Sequence, residues 1–141
     1  MKTNLLFIFI FCCVTTVCLS QNLIKNGSFE IFTVDPGPDY TTLYPGSAVL
    51  TNWNIINGTV DHKSGRWPAF EGSKSVDLNG VDAGTLTQSF QTDIDSVYAL
   101  TFMLAGNPFP PEVKMVKVTV GDFEESLLLI LLVKQMQILV G

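Results

Sequence analysis

The sequence predicts an all-β, two-sheet sandwich of Greek-key or jelly-roll type, on three observations. Short stretches of alternating apolar and polar residues recur along the chain, separated by Asn-Gly, Gly-Pro and Pro-rich turn signals. Ser96 to Ala105 is the clearest of them, with Tyr98, Leu100, Phe102 and Leu104 on one face. Between Gln21 and Glu125 no stretch joins helical periodicity to a cap and a stop.

Taken in order, Lys2 followed by the apolar Leu5 to Cys13 and by Cys18-Leu19-Ser20 reads as a secretory signal peptide, residues 1–20, with cleavage before Gln21. The apolar run is too short for a membrane span. Cys12, Cys13 and Cys18 all leave with it, so the mature chain enters an oxidising route without a thiol. Asn22 to Lys25 is expected as a short strand ended by Asn26-Gly27, with Phe29 to Phe32 continuing it. Three prolines and two glycines between Asp35 and Ser47 predict an extended surface loop. Trp53 to Ile56 and Thr59 to His62 are expected to form a hairpin around Asn57-Gly58.

Trp67 to Gly80 is the stretch with the most functional content. Trp67-Pro68 enters a turn, Gly72-Ser73 reverses the chain, and Ser75 to Leu78 forms a short strand before Asn79-Gly80 turns again. Arg66, Trp67, Phe70 and Glu71 gather aromatic and charged groups in one loop, either to meet a ligand or to close the end of a β-core. Thr85 to Thr92 alternates weakly. The apolar character of both faces of Ser96 to Ala105 places that strand centrally. Gly106 to Pro111 breaks the chain, and Val113 to Val120 follows with Val116, Val118 and Val120 inward, before a Gly121-Asp122 turn.

Eight basic residues stand against thirteen acidic ones, and Lys2 leaves with the leader. That balance argues against nucleic acid as a partner. Asn26-Gly27-Ser28 and Asn57-Gly58-Thr59 fit the N-glycosylation pattern, with Asn57 the better acceptor. His62 is the single histidine, and a lone His beside a turn is expected at the surface. With no mature cysteine, neither nucleophilic triads nor a zinc site has residues to build on. Glu71 with Asp61 or Asp77 could pair for glycoside hydrolysis, but carboxylates that serve turn amides are far commoner. The expectation is no enzyme and no catalytic residue.

The order Asn22-Leu-Ile-Lys-Asn-Gly-Ser-Phe-Glu30, Trp53, Thr59-Val-Asp61, Trp67-Pro68, Glu71-Gly-Ser-Lys-Ser-Val-Asp-Leu-Asn-Gly80, Tyr98-Ala-Leu-Thr-Phe102 and Leu104-Ala-Gly-Asn-Pro108 resembles choice-of-anchor C domains. These are similar to plant cell-wall proteins built on galactose-binding-like jelly rolls. The resemblance covers Asn22 to Glu125 and implies a secreted, extracellular, non-catalytic module that binds cell-wall polysaccharide or surface glycan. The other reading is a structural or adhesive wall protein with no discrete pocket. For the first, Trp67 would stack on a sugar with Arg66, Glu71, Asp61 and His62 as polar neighbours. In carbohydrate-binding jelly rolls with this opening, the acid at Glu30 often helps to hold calcium. The family's partner acid is missing here, so at most a weak structural calcium site is expected, and otherwise no cofactor.

The resemblance ends at Glu125, which divides the chain into a partial domain over 21–125 and an aliphatic tail over 126–141. Leu127 to Val133 is a solid aliphatic run, too short for a span and without the spacer of a glycolipid anchor signal. Back-translated with AT-rich codons and read one base earlier, 127–141 allows Ile-Thr-Phe-Asn-Thr-Thr-Gly-Lys-Thr-Asn-Ala-Asn-Ile-Gly-Trp, the Gly-Trp corner that such domains contain. A frame change is one expectation for the tail. A genuine Leu-rich strand pairing with Val113 to Val120 is the other, and it would leave an apolar, aggregation-prone patch.

Overall fold

In the computed structural model, residues 21–65, 67–106, 113–129 and 134–140 are described, and the expected signal peptide lies outside them. All regular structure among them is β: β1 (Tyr40–Leu43), β2 (Asn54–Asn57), β3 (Val60–Ser64), β4 (Lys74–Asp77), β5 (Thr85–Thr87), β6 (Tyr98–Leu104), β7 (Lys114–Val120), β8 (Phe123–Leu129) and β9 (Lys134–Val140). Every pairing is antiparallel, in sheets ordered β1-β3-β4, β2-β5, β6-β9 and β7-β8. None of the described residues forms a helix long and apolar enough to cross a membrane.

The β1-β3-β4 and β2-β5 sheets face each other across an apolar core, which makes the sandwich. Leu43, Leu50, Ile55 and Val60 are buried in it, with Phe29, Trp53, Val76, Leu78 and Leu86 packed around them. Burial of each such aliphatic side chain contributes about 1.5 to 3 kcal/mol. β3 lies between two neighbours, so Val60, Asp61, His62 and Lys63 are all buried although their side chains alternate between faces.

Several expectations are corrected. Asn22 to Lys25 is not a strand. Its Lys25 N–H donates to Gln88 Oε1 (2.7 Å) and Gln88 Nε2 donates to Lys25 O (2.8 Å), so a side chain takes the place of a strand neighbour. Asn26 and Phe29 then adopt positive φ, and the Phe29 to Phe32 stretch is reduced to a bridge between Phe32 and Leu50. The Asp35 to Ser47 loop contains β1, because Tyr40-Thr41-Thr42-Leu43 is aromatic and β-branched between its prolines and finds β3 as partner. Asn57-Gly58 is not a hairpin turn. β2 pairs with β5 and β3 with β1 and β4, so the turn carries the chain from one sheet to the other.

The β6 strand is not central among the described residues. It pairs with β9, leaving Ala99 and Thr101 exposed. Of the weak Thr85 to Thr92 alternation only β5 is a strand, whereas β7 keeps Val116, Val118 and Val120 half-buried between exposed Lys117 and Thr119. The Gly121-Asp122 turn returns the chain as β8, pairing Leu127 with Val116.

Candidate functional site

The chain from Gly65 to Ser73 joins β3 to β4 and carries the aromatic loop. It is held at both ends. At its entry the Ser64 N–H donates to Asp39 O (2.7 Å). At its exit the Glu30 carboxylate accepts from Ser73 N–H (2.6 Å), Lys74 N–H (2.6 Å) and the Ser73 hydroxyl (3.0 Å). The Lys74 ammonium donates to Ser64 Oγ (2.8 Å), tying exit to entry. Gly72 has φ +67°, and a side chain there would run into the Glu30 carboxyl. On this frame Phe70 is 75% exposed, Glu71 is exposed and Trp67 is half-buried. Arg66 lies outside the described residues.

The other expected site residues do not join the loop. Asp61 and His62 are neighbours on β3, so their side chains point to opposite faces of the sheet. Asp61 accepts from the Thr42 hydroxyl (2.7 Å) and lies 4.0 Å from the Lys63 ammonium, which also sits 4.2 Å from the centre of the Tyr40 ring. Asp77, opposite Asp61 in the β3-β4 register, accepts from the Asn79 N–H (2.9 Å). Both carboxylates therefore have partners within the fold.

His62 corrects the expectation of a surface histidine: it is 0% exposed. Its Nε2 pairs with Phe29 O (3.1 Å), its ring meets Phe32 edge-on at 5.2 Å, and Nδ1 has no hydrogen-bond partner among the described residues.

Burial, foremost, holds the His62 pKa below its usual 6.5, with the Lys74 charge acting the same way against the Phe29 carbonyl. The Ser73 N–H, aided by the Lys74 N–H and the Ser73 hydroxyl, outweighs desolvation and holds Glu30 below its usual 4.5. Both shifts have one sign for stability. A proton that the unfolded chain takes up at His62 below pH 6.5 is refused by the fold, and Glu30 stabilises above pH 4.5 and loses that contribution as pH falls through its folded pKa. The urea midpoint is expected to fall between pH 7 and 5.5, and again below pH 4.5, with His62→Gln abolishing the first step. An unchanged midpoint from pH 7 to 5.5 would refute the assignment to His62.

Glu30, the expected calcium ligand, meets only hydrogen-bond donors, and no group of three or more His, Cys, Asp or Glu that could hold a metal occurs among the described residues. Asn57 is exposed at the end of β2, whereas the Asn26 amide nitrogen donates to Ile31 O (2.8 Å) and Thr51 O (2.9 Å). The Asn26 side chain is thus committed to holding the opening segment.

Sequence reasoning missed a cleft of about 500 Å³ above Leu50, between the opening segment and Gln88. Trp53 forms part of its wall, with Lys25, Asn52, Asn54 and Gln88 around it. The Trp53 ring is fixed by its Nε1 donating to Asn26 O (2.9 Å) and by Phe29, 5.5 Å away between centroids. The available signal was Asn52-Trp53-Asn54, an aromatic between two amides, but nothing local indicated that Gln88 would bring Lys25 beside it.

The family described as "Protein of unknown function (DUF642)" matches residues 22–137, a span that continues past Glu125 into the aliphatic tail. Halomucin of Haloquadratum walsbyi is 35% identical over 89 residues, 61% of this chain. The chain spans about 1% of that relative's length. No solved structure matches.

Proposed function

This chain belongs to the DUF642 family, and on that premise we propose that it is a secreted, non-catalytic module that holds polysaccharide at a cell wall or cell surface. The observation that carries this reading is the loop from Gly65 to Ser73. An apolar ring 75% exposed on a loop fastened by Glu30 is a prepared stacking surface, because a sugar presents an apolar face to an aromatic ring and hydroxyls to a neighbouring carboxylate such as Glu71. Fastening the loop before binding lowers the entropy lost on binding. The resemblance to choice-of-anchor C jelly rolls supports the same reading. So does the stretch shared with halomucin, a far longer protein in which a domain of this size is one small part. The alternative, an adhesive wall protein without a pocket, is favoured only by the half-burial of Trp67.

Affinity electrophoresis in gels containing wall polysaccharides separates the two. Phe70→Ala and Trp67→Ala are each expected to weaken retardation, by about 1 to 3 kcal/mol for loss of one stacking ring. Equal retardation of wild type and Phe70→Ala would eliminate the loop as the site. Trp67→Ala failing to fold while Phe70→Ala binds normally would favour the adhesive reading.

A further inference from the structure

We propose that the cleft above Leu50 is a second saccharide site, selective for acidic sugars through Lys25. It goes beyond the loop reading and stands apart from it, since no residue of Gly65 to Ser73 lines the cleft.

The wall is rigid for a physical reason. The opening segment has no strand pairing of its own, so side chains fasten it: Asn26 to Ile31 and Thr51, and Gln88 to Lys25 and Asn52 (Nε2 to Asn52 O, 2.9 Å). Backbone bonds from Thr33 N–H to Val49 O (2.9 Å) and Thr51 N–H to Ile31 O (3.1 Å) complete the frame. Asn52 takes φ +68°, a left-handed conformation that Asn tolerates better than most non-glycine residues. These fastenings use main-chain groups of Lys25 and Asn52. The Lys25, Asn52 and Asn54 side chains are left exposed, with no hydrogen bond among the described residues.

A half-buried indole beside two amides and an ammonium is the donor and stacking set that a sugar ring requires. The charge of the cleft points to the class of sugar. The sequence has thirteen acidic residues against eight basic, yet among the described residues that line the cleft there is no carboxylate and Lys25 is the one ion. A carboxylate or sulfate on the ligand meets that ammonium without a competing acid.

The test is a 15N NMR titration of the protein purified after expression of the full chain, with a galacturonate trimer, a sulfated galactotriose and neutral galactotriose. Galacturonate is expected to shift Lys25, Asn52, Asn54 and the Trp53 indole. Lys25→Gln should weaken it about tenfold, the loss of one charged contact, while Lys25→Arg retains affinity. Binding of both acidic probes shows recognition of the anion as such, and binding of one alone identifies carboxylate or sulfate as its source. Phe70→Ala should leave these shifts unchanged, so loss of the loop site and loss of this one are separate results. The proposal is overturned if no probe shifts these four residues, if shifts are confined to 67–71, if neutral galactotriose binds the cleft as tightly, or if Lys25→Gln binds galacturonate like the wild type.

Discussion

Leu50→Ala is expected to lower the free energy of unfolding by about 2 to 5 kcal/mol. Leu50 is 1% exposed and central to the core cluster. Its backbone leaves little room for collapse around the lost methyls, because Leu50 bridges to Phe32 and its carbonyl accepts from Trp53 N–H (3.1 Å). The cavity therefore stays open and its lining loses dispersion contacts on one side. Urea denaturation of the variant beside Ile31→Ala, at a site 56% exposed, provides the comparison; the latter should stay within about 0.5 kcal/mol. A loss below about 1 kcal/mol for Leu50→Ala would mean that the two sheets do not share the core described above. Leu50 also floors the cleft, so the same variant should blur the Trp53 indole environment before it affects the aromatic loop.

Gly58→Ala is expected to destabilise by about 2 to 4 kcal/mol, through two separate effects. Gly58 has φ +58°, where an L side chain costs about 1 to 2 kcal/mol. A Cβ there would also overlap the Ala83 carbonyl, with the Ala83 carbonyl carbon at 2.6 Å and Gly84 Cα at 3.0 Å. That opposing backbone cannot withdraw without breaking Gly84 N–H to Leu78 O (2.7 Å) and the bonds that the Val81 and Asp82 N–H groups donate to Thr59 Oγ1. Gly46→Ala isolates the second effect. It shares the positive φ, at +82°, but has open space around the added carbon. Thermal unfolding of both variants should show Gly58→Ala well below Gly46→Ala; equal melting temperatures would refute the close approach of the β2–β3 and β4–β5 connections at this corner.

The β character of the chain was legible because alternation and turn residues act locally. Val116, Val118 and Val120 alternate half-buried with exposed Lys117 and Thr119 in β7 as their spacing predicts, Gly121-Asp122 turns the chain, and Lys74 to Asp77 forms a strand bounded by Gly72-Ser73 and Asn79-Gly80. Strand pairing was less legible. Asn57-Gly58 carries a strong local hairpin signal, yet Ile55 and Val60 lie in facing sheets, because burying both in one core outweighs the preference of a two-residue turn.

The candidate site divides along the same line. The sequence by itself determined the aromatic loop as a unit, since Trp67, Phe70 and Glu71 are adjacent in the chain between two reversals. It also placed Asp61 and His62 on one strand, though grouping both beside Trp67 overlooked the alternation that sends them to opposite faces. Only the tertiary structure decided that His62 is buried, that Glu30 fastens a loop 43 residues away, and that Gln88 reaches 63 residues back to Lys25. The physical reason is that a hydrogen bond between distant residues leaves no periodic trace: a Glu or Gln has the same local preferences whether its partner is water or a backbone amide brought to it by the packing of two sheets.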